Sequence, residues 1–174
     1  MFFKNKNEKI LSEVINRNYA VIYFKPDGTV IKANEVFLKT MGYSLEEVVG
    51  KHHSMFCEEK FTKTPEYKDG WNDLRAGKTL TAEFQRVKKD KSLIFLRASY
   101  MPIIENGKVL EVIKLAQDIT KNRLKNLFFI GQVKAINKSN AVIEFDMNGN
   151  ILNANDNFLN TLGYKKEDII GKHH

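Results

Sequence analysis

Cysteine is almost absent: Cys57 is the only one in 174 residues. A single thiol excludes an intrachain disulfide framework. With only His52 and His53 near it in the chain, Cys57 also falls short of the about four ligands that a structural zinc site needs. Tryptophan occurs once, at Trp71, and proline three times, which excludes a proline-rich linker or a collagen-like chain. Long apolar runs are missing too. The longest, Tyr19 to Phe24, is six residues, where a spanning helix needs about 20. The first ten residues, MFFKNKNEKI, hold no apolar stretch long enough for a secretory signal. With no signal, span or disulfide, the expected location is the cytoplasm. Catalytic signatures are absent as well: no Gly-x-Gly-x-x-Gly, no Gly-x-Ser-x-Gly, and no Ser or Thr after Lys51 to make a phosphate loop. Glu46-Glu47 and Glu58-Glu59 are adjacent pairs, which on a helix point about 100° apart rather than at one substrate. We therefore expect no enzyme and no catalytic or metal-ligating residue.

What is present is ordinary globular composition, 43% apolar and 28% charged. The net charge of +7 is unevenly spread, because residues 119–140 hold five cations and no acid. Such a segment reads as a solvated helix face, and with no recognised nucleic-acid fold beside it we expect no nucleic-acid partner.

An internal repeat organises the chain. Ala20–His53 aligns without a gap on Ala141–His174, with 17 of 34 pairs identical, and GKHH closes both copies. The chain thus holds one complete repeat and the first third of another. Because a third of a domain cannot bury a core, the protein is expected to continue past His174. The expected organisation is an N-terminal helix over 1–18, a complete domain over 19–120, a helical linker over 121–139 and a truncated second domain over 140–174.

Local signals supply the elements. Lys6–Asn18 reads as an amphipathic helix with Ile10, Leu11, Val14 and Ile15 on one side. Ala20–Phe24 is a strand, Pro26-Asp27-Gly28 a turn, and Thr29–Lys32 the returning strand. Asn34 caps a helix that stops at Gly42, and Ser44–Glu47 is a capping box for another ending at Gly50. Thr64-Pro65 starts a third helix, which carries Tyr67, Trp71 and Leu74 on one face and ends at Gly77. Strands follow over Thr79–Val87, Leu93–Met101 and Val109–Ala116, with Asn106-Gly107 as the strongest hairpin signal. The order β-β-α-α-α-β-β-β predicts the α+β class, an antiparallel sheet with helices grouped on one face. After Asp118-Ile119-Thr120 a helix carries Leu124, Leu127, Phe128, Ile130, Val133 and Ile136 as a broad apolar face, which suggests dimerisation through the linker.

The element order, GTVIKANEVFLKTMGYSLEEVVGK, the NG hairpin and the terminal DIT together resemble a PAS sensory domain, in full over about Tyr19–Thr120 and again from near Asn140. The resemblance implies a five-stranded sheet. GKHHSMFC, EYKDGWNDLRAGK, AEFQRVKKDKS, FLRASYMPI and VIKLAQDIT are similar to the PAS domains that stand in tandem ahead of a methyl-accepting signalling domain. Those occur in soluble chemotaxis and energy-taxis transducers and in biofilm-dispersion regulators. Two departures stand out: Lys91 where the family usually has Gly, and Phe95 where it often has Trp. The resemblance implies a sensor that passes a change into the helix after Thr120. An alternative is a PAS input domain that regulates a downstream diguanylate cyclase or histidine kinase.

It also implies a pocket between the sheet and the helices. The expected lining is Phe37, Met41, His53, Phe56, Trp71 and Leu74 from the helical side, with Phe84 and Leu96 from the strands. The cofactor is open. Haem ligated by His53 or His52 is one option, although the long helix lacks the histidine that some haem-binding PAS domains use. A non-covalent flavin is the other. Trp71 matches a flavin-lining tryptophan of energy-taxis relatives, but Cys57, Glu58 and Lys60 replace their loop arginine, histidine and aspartate. The asparagine-cysteine-arginine string of photoreactive flavin domains is missing, so Cys57 reads as a buried structural thiol. A small or empty pocket is expected. Asp118 and Thr120, at the junction of strand and linker, are the expected relay residues.

Overall fold

A computed structural model describes residues 2–174, with side chains from Lys6 onward. The chain divides into two compact units, Met1–Lys121 and Asn122–His174.

The first unit opens with helix α1 (Phe2–Asn18), longer at its start than the amphipathic pattern implied. Strands β1 (Ala20–Phe24) and β2 (Val30–Ala33) form a hairpin. Its turn needs Gly28 at φ +89°, where a Cβ would fall 2.7 Å from His52 Nε2. Helices α2 (Glu35–Met41), α3 (Leu45–Val48), α4 (Glu59–Thr62) and α5 (Pro65–Arg75) follow, with a 3-10 turn over His53–Phe56 between α3 and α4. The 3-10 turn and α4 are short and carry no periodic signal, so only the structure reveals them. Strands β3 (Leu80–Val87), β4 (Leu93–Glu105) and β5 (Lys108–Asp118) complete an antiparallel sheet of order β2-β1-β5-β4-β3. This is the α+β architecture expected from the sequence.

β4 and β5 run longer than the apolar alternation suggests, because the hairpin ladder continues to the Glu105↔Lys108 pair. Asn106 (φ +50°) and Gly107 (φ +74°) turn the chain there. In the β3–β4 turn Lys91 sits at φ +68°, a left-handed conformation that explains why the resembled family favours glycine at this place.

One face of the sheet meets α2–α5 over a core built on Ile22, Phe24, Phe37, Met41, Phe56, Leu74, Leu96 and Val112. Asn34 ties the layers together. Its Oδ1 accepts from Phe37 N at the start of α2 (2.8 Å) and from Val21 N in β1 (3.0 Å), while its Nδ2 donates to Tyr19 O (2.9 Å).

The second unit takes in most of helix α6 (Thr120–Ser139), then β6 (Ile143–Phe145), β7 (Ile151–Ala154), α7 (Asp156–Leu162) and α8 (Lys166–Ile169). It repeats the hairpin and first two helices of the complete unit around a small cluster of Ile151, Ala154 and Ile169. Asn155 caps α7 and bonds Val142 N as Asn34 does in the first copy. No helix among the described residues is long and apolar enough to cross a membrane.

Candidate functional site

The two adjacent histidines have separate fates. His52 is the N-cap of the 3-10 turn: its Nδ1 faces Ser54 N (3.2 Å) and Ser54 Oγ (2.9 Å), and its Nε2 faces the Asp27 carbonyl (2.9 Å). The network assigns the proton to Nε2, which donates to that carbonyl. His52 therefore clamps the β1–β2 turn onto the GK segment and takes no part in the interior. The turn then rotates His53 inward, to 2% exposure.

His53 lies between two phenols, with Nε2 2.9 Å from Tyr100 OH and Nδ1 3.0 Å from Tyr67 OH. Tyr100, buried on β4, also receives a hydrogen bond from Arg86 Nη2 of β3 (3.3 Å). Opposite Tyr100 across the β4–β5 ladder stands Lys114, whose Nζ is 4.8 Å from the centre of the Tyr100 ring. Arg86 also stacks its guanidinium over Phe84, 4.7 Å from ring centre. Arg86 and Lys114 are both buried, at 3% and 2% exposure. Among the described residues neither forms an ion pair with a carboxylate. Arg86 Nη1 donates to the Gln85 carbonyl (2.7 Å), while Nε is buried without a hydrogen-bond partner.

This concentration of positive charge sets the protonation of its neighbours. Burial, reinforced by Arg86 and Lys114, holds His53 well below the usual histidine range, so it is a neutral imidazole. Burial opposes ionisation of Tyr100, but the charges of Lys114 and Arg86 outweigh it and draw the phenol below its ordinary value. Burial pushes Tyr67 up and lowers Lys114. Cys57, 3.8 Å from His53 Nδ1, is buried, and that burial raises its thiol pKa, which leaves it unreactive.

A cavity of about 300 Å³ lies against this cluster, between α5 and β3. Its wall includes four of the residues expected from the sequence, His53, Trp71, Leu74 and Phe84, together with Phe61, Tyr67, Leu80, Arg86 and Tyr100. Phe37, Met41, Phe56 and Leu96 line no part of it. They are packed shut in the core, with Phe37 and Phe56 edge to face at 5.3 Å. Three residues that build the site, Arg86, Tyr100 and Lys114, were not singled out in the sequence. A signal existed: Lys114 falls in phase with buried Val112 and Ala116, and Arg86 in phase with Phe84, so both cations sit at inward positions of their strands.

The geometry leaves haem without a free histidine. Both ring nitrogens of His53 are engaged by tyrosines, and His52 is engaged at the surface turn, so neither offers a free lone pair to haem iron. The cavity stands at the small end of the about 300–1,000 Å³ typical of ligand sites. Phe24 packs beside it in the core, edge to face with Trp71 at 5.7 Å and with His53 at 5.4 Å. Among the described residues no group of three or more His, Cys, Asp or Glu comes together to hold a metal ion.

At the exit from the sheet Asp118 and Thr120 divide the work. Asp118 Oδ1 accepts from Thr120 N (2.8 Å) at the first turn of α6. The Thr120 hydroxyl does not cap the helix but accepts from Phe95 N in β4 (2.9 Å), and Ile119 N donates to Phe95 O (2.9 Å).

Comparison with known proteins matches this architecture. Over 161 residues the chain is 34% identical to the biofilm dispersion protein BdlA of Pseudomonas aeruginosa, covering 92% of this chain and 39% of that protein. It is 26% identical over 80 residues to the aerotaxis receptor of Escherichia coli, covering 46% of this chain and 16% of the receptor. The chain thus spans well under half the length of these curated relatives. Among solved structures, the PAS domain of a protein from Colwellia psychrerythraea superposes with a TM-score of 0.57 at 20% identity, covering 65% of this chain and 97% of that one. A light-oxygen-voltage domain studied with a flavin analogue superposes with a TM-score of 0.56 at 16% identity, covering 72% and 96%. The PAS domain pattern itself matches residues 18–121 and again 139–173, in step with the internal repeat. By fold, by repeat and by sequence, the chain belongs to the PAS domain family.

Proposed function

We propose that this chain is the sensory input of a chemotaxis-type transducer. Its complete PAS unit takes a small ligand in the cavity beside His53 and relays the change through β5 into α6. The relatives named for biofilm dispersion and aerotaxis support that role. The observation that carries the relay is the course of β5. Lys114, in the buried cluster, and Asp118, at the start of α6, lie four residues apart on one strand. A shift of the cluster thus reaches the first turn of α6 through a single rigid element. α6 then hands the signal on by pairing with a second copy. Leu124, Leu127, Phe128, Ile130, Val133 and Ile136 are each at least half exposed along it, apolar surface that pairing of two chains would bury.

The test perturbs the cluster and reads the helix. Lys114→Met, or Tyr100→Phe as a second variant, is expected to change amide hydrogen exchange over residues 121–124. The change should vanish when either is combined with Asp118→Ala. A first turn of α6 that exchanges alike in all these proteins would overturn the relay.

A further inference from the structure

We infer that the cavity between α5 and β3 binds a small organic monocarboxylate with an apolar body. The inference rests on the cavity being the sensory input and adds the chemistry of what enters it. The first support is charge. Arg86 and Lys114 are both nine-tenths or more buried, and among the described residues no carboxylate pairs with either. The neighbour best placed to offset them is Tyr100, whose phenol their charges draw below its ordinary pKa. Tyr100 can offset at most one of the two, and the guanidinium of Arg86, which stays charged, is expensive to hold in a low-dielectric interior unless an anion joins it.

The second support is an unsatisfied hydrogen-bond donor at a defined place. Arg86 lines the cavity, its two Nη atoms are taken up by Gln85 O and Tyr100 OH, and its buried Nε has no partner. A carboxylate is the planar acceptor that a guanidinium edge suits best.

The third support is the character of the remaining wall. Beyond the Arg86–Tyr100–His53 end the cavity is bounded by Phe61, Trp71, Leu74 and Phe84, which ask for an apolar body. Glu66 and Asp69 line its exposed side, with Asp73 beside them held by Lys78 (2.8 Å), so a second negative charge on the ligand would be repelled. Those carboxylates disfavour dicarboxylates and phosphate esters. The volume of about 300 Å³ suits an aromatic or branched-chain acid rather than a nucleotide.

The experiment uses the 174-residue chain. Its single tryptophan, Trp71, lies in the cavity wall and reports occupancy by fluorescence. Phenylacetate and 4-methylpentanoate are titrated beside the uncharged 2-phenylethanol and inorganic phosphate, with thermal melting as a second readout. The expected result is a saturable response and a raised Tm with at least one of the two acids. Binding of 2-phenylethanol should be weaker by about tenfold or more, the worth of a charge-assisted hydrogen bond, and phosphate should do nothing. Arg86→Met replaces a buried cation that has no carboxylate partner by an apolar side chain of similar length, so it should keep a cooperative melt, and it should lose about tenfold or more in affinity for the acid. If Arg86→Met does not fold, Arg86→Lys replaces it, with the same loss expected because the planar edge is gone. The inference is overturned if neither acid gives a saturable response, if the alcohol or phosphate binds as well, or if the Arg86 variants bind unchanged. The relay test above uses no ligand, so the failure of either leaves the other standing.

Discussion

Tyr100 joins the buried site at the residue scale. It links a neutral imidazole on one side to a guanidinium on the other, and it lies under the ammonium of its cross-strand neighbour. His53 is the group in this cluster whose protonation matters near neutral pH. In the folded chain burial and the two cations hold its pKa well below 6.5, while the unfolded chain takes up the proton near 6.5. Between those two values the unfolded state binds more protons. The stability is therefore fully present above pH 6.5 and is lost as the pH falls toward the folded value. We expect the unfolding free energy from urea denaturation to drop between pH 7 and pH 5, by up to about 1.4 kcal/mol for each pH unit in that window. In His53→Gln the drop should shrink. An equal pH dependence in both proteins would show that His53 is not the buried base.

At the scale of elements, the fold depends on short polar ties more than on helix length. α2 is only seven residues, too short to persist unaided. Asn34 caps it and simultaneously holds Val21 N of β1. Asn34→Ala removes a helix cap, worth about 1 kcal/mol, and leaves a strand N–H short of an acceptor at a cost of about 1–3 kcal/mol. A loss of about 2 kcal/mol or more in urea unfolding is expected for the first unit. A change within a few tenths of a kcal/mol would show that water substitutes for the side chain. The same tie recurs at Asn155, which explains why Ala-Asn is retained in both copies of the repeat. Lys91 shows the opposite case, in which a residue with a side chain accepts a left-handed backbone because Asp90 and Ser92 hold the turn, with Asp90 Oδ1 taking both Ser92 N and Ser92 Oγ.

For the whole molecule the exposed apolar side chains of α6 decide the behaviour. Phe128 is 65% exposed and no residue of α6 is buried, so this apolar surface calls for a partner if it is to leave water. We expect the chain to be dimeric by light scattering. Phe128→Asp is expected to weaken the dimer at least about tenfold, since it places a charge in an apolar contact. A variant that stays dimeric at the same concentrations would remove α6 from the interface. The first unit should keep its own cooperative melt in that variant, because its core lies wholly within residues 20–116.

Much of this was legible in the amino-acid order alone, and the reason is that the signals were local. Asn34, Ser44 and Thr64 announce helix starts because a cap acts on amides three residues away. Asn106-Gly107 announces a hairpin because only its own backbone must turn. The repeat at Ala20 and Ala141 is visible because it is a matter of comparison, not of space. The charged heart of the site was not legible. Arg86, Tyr100, Lys114 and His53 come from four separate segments, and the His53–Tyr100 bond spans 47 positions. The resemblance implied that Phe37, Met41, Phe56 and Leu96 line the pocket; they are buried, and nothing in the sequence tells a lining residue from one packed shut. That difference depends on how far α5 stands from β3, on where β4 and β5 fall in register, and on which aromatic edges fill the gap. Only the tertiary structure decided it, because a cavity is the space left over when every other contact has been made.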